Sequence, residues 1–199
     1  MLRGAAGSSR PAQPLVLALD VGTSSCRASV YDAEARRVPG VAAQIGYAPR
    51  VNEEGGAELD ADHLLQQVAE TVDRAMERAG DAPARVEAVA TSTFWHSLMG
   101  VDGEGRAATP VYLWMDARSR GAAESLRRRL DERAIHARTG CVLHWSYLPA
   151  KLLWLSQTRP DVFRRVSRWV SFGEYMMLRL FGRAVASVCM ASATGLFDE

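Results

Sequence analysis

The sequence predicts an α/β domain, and three stretches carry that expectation. Leu15 to Leu19 is an apolar run of strand length, too short for a helix, and Arg27 to Tyr31 alternates polar and apolar as a half-buried strand does. Leu64, Val68, Val72 and Met76 recur every four residues, with Leu65 and Ala69 beside them, so a helix there has one apolar stripe. Val86 to Thr91 is another short apolar run and reads as a further strand.

The first strand ends at Asp20, and Val21 to Ser25 is a tight polar turn into the second. Asp32-Ala33-Glu34 reads as a turn, Val38 to Tyr47 as a third, antiparallel strand, and Asn52 to Gly56 as a loop. The long helix is expected from Leu59 to Gly80. Asp60 is its N-cap, Leu59 and Leu64 form a hydrophobic staple, and Gly80 takes the C′ position. His63, in its first turn, reads as solvated. Ser97 to Val101 is a strand closed by Asp102-Gly103, with Gly105 just beyond. A helix is expected from Ser119 to Arg133, with Ala122, Ala123, Leu126 and Leu130 inward and Arg127 to Arg129 on a solvated face. Thr139-Gly140 breaks the chain. Pro149 opens the next helix, which continues through Lys151 to Leu155, and Pro160 opens a short one. Ser171 and Glu174 form a capping box for a helix ending at Gly182, and Ala184 to Cys189 reads as a short strand.

Composition narrows the function classes. The 199 residues suffice for one good-sized domain, and an apolar fraction of 48% supplies a core. A formal net charge of +1 argues against a nucleic-acid binder and against a scavenger of acidic substrates. Cys26, Cys141 and Cys189 are odd in number, far apart and without metal spacing, which favours free, mostly buried thiols in a reducing cytoplasm. No stretch approaches the ~18 apolar residues of a membrane span. Residues 1–14 are rich in Ala, Gly, Ser, Arg and Pro with no apolar segment; they read as a disordered leader, not a secretion signal. No internal repeat or linker follows, so residues 15–199 form one domain.

The chemistry concentrates in the first turn. An acidic residue at the end of a buried strand, followed by Gly and three hydroxyls, suits a metal–phosphate group. Gly22 lets backbone N–H groups approach phosphate oxygens. Thr23, Ser24 and Ser25 can donate to those oxygens, at roughly 1.5–3 kcal/mol per bond to a charged acceptor. Asp20 can hold Mg²⁺ through water, because Mg²⁺ sheds its waters reluctantly. On their own, these residues fit a plain β-hairpin equally well. The stretch is neither a Walker loop nor GxGxxG.

Taken together, the segments resemble the N-terminal domain of the FGGY carbohydrate kinases over nearly everything from Leu15 to Glu199. Four landmarks come in the family's order: Asp20 to Ser25; Ser92-Thr93-Phe94-Trp95-His96-Ser97 after a strand; Trp114-Met115-Asp116-Ala117-Arg118, the family's W-x-D-x-R; and Lys151-Leu152-Leu153-Trp154-Leu155, followed by Ser187 to Leu196. Within the family the Phe-Trp-His-Ser segment and the Met-Ala-Ser-x-Thr-Gly-Leu ending look most like gluconokinases, with xylulokinases next. The resemblance implies the actin-like, ribonuclease-H-like α/β fold, a mixed sheet flanked by helices. It also implies phosphoryl transfer from ATP, the co-substrate, to a hydroxyl of a sugar or sugar acid.

By motif position the resemblance gives Asp20 to Mg²⁺ and Gly22, Thr23, Ser24 and Ser25 to the phosphates. Arg27 falls where some relatives keep a nucleotide-contacting arginine, and a plain surface residue fits its strand position as well. Trp95, His96, Trp114, Asp116 and, by a looser alignment, Tyr147 would line the sugar site. Trp114 offers an apolar ring face, while His96 and Asp116 offer hydrogen bonds to hydroxyls. Arg118 either pairs with Asp116 or serves a substrate carboxylate as a bidentate donor. Cys189 stands where gluconokinase-like relatives often have Ser. The family's second domain, which carries the catalytic aspartate and the adenosine pocket, has no counterpart here, so no residue is assigned as catalytic base. The expected partner is that domain. Apolar surface left uncovered without it favours self-association into a homodimer. Two other readings stay in play: a non-catalytic nucleotide- or sugar-sensing module, and another actin-like ATPase, against which W-x-D-x-R argues.

Overall fold

The computed structural model describes residues 13–80 and 82–198. Its elements in chain order are β1 (Leu15–Val21), β2 (Ser25–Tyr31), β3 (Arg37–Gly46), β4 (Arg50–Val51), β5 (Ala57–Leu59) and α1 (Ala61–Glu77). A 3-10 turn at Ala82–Arg85 leads to β6 (Val86–Thr93), β7 (Met99–Val101), β8 (Val111–Tyr112), α2 (Arg120–Arg129) and α3 (Glu132–Thr139). The chain continues through α4 (Leu148–Thr158), α5 (Pro160–Arg165), β9 (Arg168–Val170), α6 (Phe172–Phe181) and α7 (Val188–Ser192).

The frame is a four-stranded mixed sheet in the order β3-β2-β1-β6. β1, β2 and β3 run antiparallel, while β6 lies parallel to β1. Alternation decides which face is buried. Leu15, Leu17, Leu19 and Val21 of β1 share a buried face with Cys26, Ala28 and Val30 of β2 and Val41 and Ala43 of β3. α1 covers that face with Leu64, Val68 and Ala75. Each large apolar side chain fully buried there contributes roughly 1.5–3 kcal/mol. A second, smaller core gathers Leu98, Tyr112 and Leu155 with Trp154, Phe163 and Trp169, and ties the β7–β9 pair to α4 and α5. Among the described residues no helix is long and apolar enough to cross a membrane.

The start of α1 follows the sequence: the Asp60 side chain accepts from the His63 amide at 2.8 Å. Its end does not. The Arg78 and Ala79 amides both turn back onto the Met76 carbonyl, so the helix stops early and Gly80 (φ +56°) lies beyond the C′ position. The helix expected from Ser119 to Arg133 is two helices. Leu130 is extended and exposed, and the Asp131 side chain accepts from the amides of Arg133 and Ala134, capping α3. A short acidic side chain that can bond those amides competes with helix continuation. Ala184 to Cys189 is not a strand, because Ser187 caps α7 by accepting from the Met190 amide at 3.2 Å. Cys189 is therefore exposed on a helix, while Cys26 and Cys141 are buried. The strand expected from Ser97 begins only at Met99. Of the expected leader, residues 1–12 lie outside the described residues. The Gln13 carbonyl accepts two bonds from Arg85, at 2.7 and 3.2 Å.

Candidate phosphate and acceptor site

The turn between β1 and β2 is braced from β3. Gly22 donates its amide to the Ser25 carbonyl at 2.9 Å. The Gly22 amide thus closes the turn. A Cβ at Gly22 would sit 3.3 Å from the Ser25 carbonyl oxygen, so the turn favours glycine. Tyr47 holds the turn from outside, donating its amide to the Ser24 carbonyl at 2.9 Å and its hydroxyl to the Gly22 carbonyl at 2.6 Å. Burial raises the Tyr47 hydroxyl well above its ordinary pKa, so it stays a donor. The Thr23, Ser24 and Ser25 side chains keep no partner among the described residues.

Asp20 sits on the sheet face opposite α1. Its neighbours across the ladder are Arg27 on β2 and Ser92 on β6, and all three are exposed. Among the described residues no three metal-ligating side chains converge. Mg²⁺ carried on substrate phosphates needs only one or two carboxylates and several waters, so Asp20 and the hydroxyl turn fit it.

The segment after β6 reaches the same end of the sheet. β6 runs level with β1, pairing Thr93 with Val21, and Phe94 donates its amide to the Val21 carbonyl at 3.0 Å. Trp95 and His96 follow directly, with Trp95 43% exposed. His96 has a left-handed backbone (φ +57°), uncommon outside glycine. Its ring stands edge-on to Tyr147 with centroids 4.7 Å apart. His144 and Trp145 extend this wall, their rings 3.6 Å apart. His144 Nδ1 accepts from the Ser146 amide at 3.2 Å, which leaves Nε2 as the protonated, donating nitrogen. Burial lowers the pKa of both histidines. Lys151 and His144 add to the effect at His96, and Arg127, Lys151 and Arg120 add to it at His144.

The W-x-D-x-R loop forms the next wall. Trp114 is 47% exposed, and its carbonyl accepts from Ser146 Oγ at 2.9 Å. Asp116 points inward and is only 2% exposed. It accepts from the Ala57 amide at 3.2 Å and from the Arg118 amide and Nε at 3.1 and 3.0 Å. Arg118 also donates to Glu58 at 2.6 Å and stacks on Trp154, 4.7 Å from the ring centroid. Burial opposes the Arg118 charge, but the bonds to Asp116 and Glu58 outweigh it and raise its pKa. Of the two roles open to Arg118, pairing is the one seen. Engaged with two carboxylates and a ring, it is not free to clamp a substrate carboxylate. Asp116, expected to face sugar hydroxyls, spends its oxygens orienting the loop.

The structure thus brings Trp95, His96, Trp114 and Tyr147 to one region, near the hairpin that carries Asp20, Thr23, Ser24, Ser25 and Arg27. Sequence reasoning missed Tyr47, Glu58, His144, Trp145 and Lys151. The run Leu143-His144-Trp145-Ser146-Tyr147, dense in rings, was a readable signal for two of them.

This frame and these segments define an α/β domain of the actin-like kind. Residues 15–198 match the N-terminal domain of the FGGY family of carbohydrate kinases, and the chain belongs to that family. Gluconokinase of Bacillus subtilis is 26% identical over 183 residues, covering 92% of this chain and 35% of its own. Autoinducer-2 kinase of Escherichia coli is 28% identical over 188 residues, with the same coverage of each chain. Gluconate kinase from Lactobacillus acidophilus superposes with a TM-score of 0.85 at 26% identity, covering 94% of this chain and 37% of its own. Xylulose kinase from Rhodospirillum rubrum, at 23% identity and a TM-score of 0.87, shares the fold. The chain spans about a third of the length of these relatives.

Proposed function

We infer that the chain is the phosphate- and acceptor-binding part of an ATP-dependent carbohydrate kinase of gluconokinase-like specificity. One observation carries this reading. The Phe94-to-Val21 hydrogen bond fixes the hydroxyl turn and the Trp95-His96 segment at the same end of two parallel strands. Ligands of open α/β sheets bind at the carboxyl ends of such strands. A phosphate chain on the turn and a sugar on the rings would then be neighbours, as in-line transfer requires.

The roles follow from placement. Thr23, Ser24 and Ser25 donate to phosphate oxygens, and Arg27 adds positive charge beside them. Asp20 holds Mg²⁺ through water; bound there, the ion supplies charge neutralisation for the phosphates. Trp95 and Trp114 offer ring faces to sugar C–H groups, His96 and the His144 Nε2–H offer hydrogen bonds, and Tyr147 packs behind His96. The proton of the acceptor hydroxyl goes to a base of the family's C-terminal domain, the partner this site needs. The setting is cytoplasmic, consistent with free thiols and ATP use.

Self-association belongs to the same reading. β6 is the outer strand of its sheet among the described residues, carries no Lys or Pro, and exposes Val89 at 57%. Such edges invite pairing. Val89→Lys should shift residues 1–199 from dimer toward monomer in sedimentation, and an unchanged distribution would remove β6 as the contact.

The binding assignment is tested by amide and indole NMR on residues 1–199 with millimolar ligands. Mg-ADP should move the Gly22 to Ser25 amides, and gluconate should move the Trp95 and Trp114 indoles. Neither set moving would sink the reading.

A further inference from the structure

Lys151 is the only lysine in the chain; the other 23 of its 24 basic Lys and Arg residues are arginines. It lies in the first turn of α4 and is 1% exposed. Its ammonium donates to the Leu113 carbonyl at 2.9 Å and the Trp145 carbonyl at 3.4 Å. No carboxylate lies within ion-pair distance of Nζ among the described residues. A buried cation without a paired anion is costly and therefore rare. An apolar residue would fill the space more cheaply unless the charge has a task.

The two carbonyls indicate the task. Leu113 immediately precedes Trp114, and Trp145 sits between His144 and Tyr147. Two serines lace the same segments: Ser119 Oγ donates to the Trp145 carbonyl and Ser146 Oγ to the Trp114 carbonyl, each at 2.9 Å. We propose that Lys151 is a positioning residue of the acceptor site, its ammonium bracketing the Trp114 loop to the His144–Tyr147 segment so that the ring walls stand at a fixed spacing. This rests on the acceptor-site reading above. A guanidinium could not replace it, because its planar fork suits a carboxylate rather than two carbonyls meeting at a point.

The bracket has a pH signature. Burial pulls the Lys151 pKa down from 10.5 to about 8, with Asp116 working against that pull and Arg118 with it. The neutral amine still donates, but without the strength of a charge-assisted bond. The groups facing it are Asp116 and Arg118 from the loop after β8, His96 from the β6–β7 connection, and His144 from the segment before α4.

A single lysine makes the test direct. Residues 1–199 are labelled with ¹³C-lysine, and the side-chain resonance and the five tryptophan indoles are followed from pH 6.5 to 10.5. The lysine should titrate near pH 8. The Trp114 and Trp145 indoles should move with the same midpoint, while Trp169, in the second core, stays still. Lys151→Met should abolish the indole transition. It should also weaken gluconate binding about tenfold, the scale of losing a charge-assisted bond, and leave the Mg-ADP response of the hairpin unchanged. Indoles that do not follow the lysine titration, an indole transition that survives in Lys151→Met, or, where the wild type binds gluconate, an affinity in Lys151→Met within twofold of it would each overturn the bracket. If Lys151→Met does not fold, the wild-type titration decides alone. Coupled lysine and indole titrations without any gluconate response would support the bracket and sink only the acceptor-site reading.

Discussion

Arg118 joins Asp116, two residues before it, to Glu58, sixty residues before it, through one guanidinium. That link ties the W-x-D-x-R loop to β5 and presses the Arg118 plane onto Trp154. Arg118→Ala would leave Asp116 buried with only the backbone amides of Ala57 and residue 118 as partners. The expected loss is about 3–5 kcal/mol, the scale of breaking a buried pair from one side. Arg118→Lys should restore little, since an ammonium neither forks between two carboxylates nor stacks in the same way. Urea denaturation of the two variants checks both statements, and a loss under 1 kcal/mol for Arg118→Ala would show that the link is idle.

Asp20→Asn should leave acceptor binding intact and collapse turnover in any active kinase that contains this domain. The carboxylate is exposed and joins no ion pair among the described residues, so folding has little need of its charge. Charge terms dominate phosphoryl transfer, and a loss on the order of 10²–10³ in kcat is expected. Turnover near wild type at saturating Mg²⁺ would contradict the role.

Trp114→Ala should weaken sugar binding more than nucleotide binding. Its ring is nearly half exposed, while its carbonyl is held by Ser146, so truncation removes a face without freeing the loop. Loss of one aromatic face is worth on the order of 1 kcal/mol, or roughly five- to tenfold in affinity. Separate titrations of the two ligands decide it. A fall in nucleotide affinity alone would move Trp114 to the other side of the site.

Stability should depend on pH at both ends of the neutral range, through different groups. His96 and His144 have folded pKa values below the ordinary 6.5, so the unfolded chain takes up protons first as pH falls. Their stabilising contribution is fully present above pH 6.5 and is lost as pH drops through their folded values. The depressed carboxylates Asp32, Asp102 and Asp198 act only below their ordinary 3.8. Lys151 is also depressed, so between about 8 and 10.5 the folded chain has shed a proton that the unfolded chain keeps. Lys151 thus makes stability rise with pH from about 8, while Cys26, whose thiol burial pushes from 9.0 up to about 11, acts oppositely above 9, so the net rise is expected between pH 8 and 9. Urea midpoints from pH 5 to 10 test this. The double substitution of His96 and His144 by Gln should flatten the acid limb, and Lys151→Met the alkaline one.

Much of the frame was legible in the sequence because its signals are local. The apolar run of β1, the alternation of β2, the Asp60 cap, the Ser171–Glu174 capping box and the glycine stop at Gly182 each need only a few neighbouring residues. The errors at Leu130–Asp131 and Ser187 are also local: a polar cap beat an apolar pattern. The site was legible only in its parts. That Trp114 and Tyr147 belong together depends on a buried lysine and two serines bonding across tens of residues. The resemblance gives Asp116 to the sugar, because a motif does not reveal which way a carboxylate points. Lys151 was hidden for a similar reason. It stands in the Lys151–Leu155 landmark, but no local pattern shows that a lysine in a leucine-rich helix is buried against two carbonyls.

Residues 1–199 by themselves are expected to transfer no phosphate. In-line transfer needs a cradle for the phosphates, an acceptor held at contact distance and a base within hydrogen-bond reach of its hydroxyl. On the proposed reading the hairpin is the cradle and the rings are one wall of the acceptor site. Asp116, the carboxylate of the W-x-D-x-R loop, is turned inward onto Ala57 and Arg118 and cannot serve as the base. His96 and His144, both held neutral by burial, are better placed, but each sits against other rings rather than beside a carboxylate that would stabilise its protonated form. The exposed faces of Asp20, Trp95 and Trp114 also leave the reacting groups in water, where electrostatic stabilisation is weakest. Incubating the purified segment with Mg-ATP and gluconate, xylulose, ribulose or glycerol, and weighing the products by mass spectrometry, gives the answer. A sugar phosphate that forms in proportion to protein and disappears in Asp20→Asn would show that these residues hold a complete active site, with His96 or His144 the first base to examine.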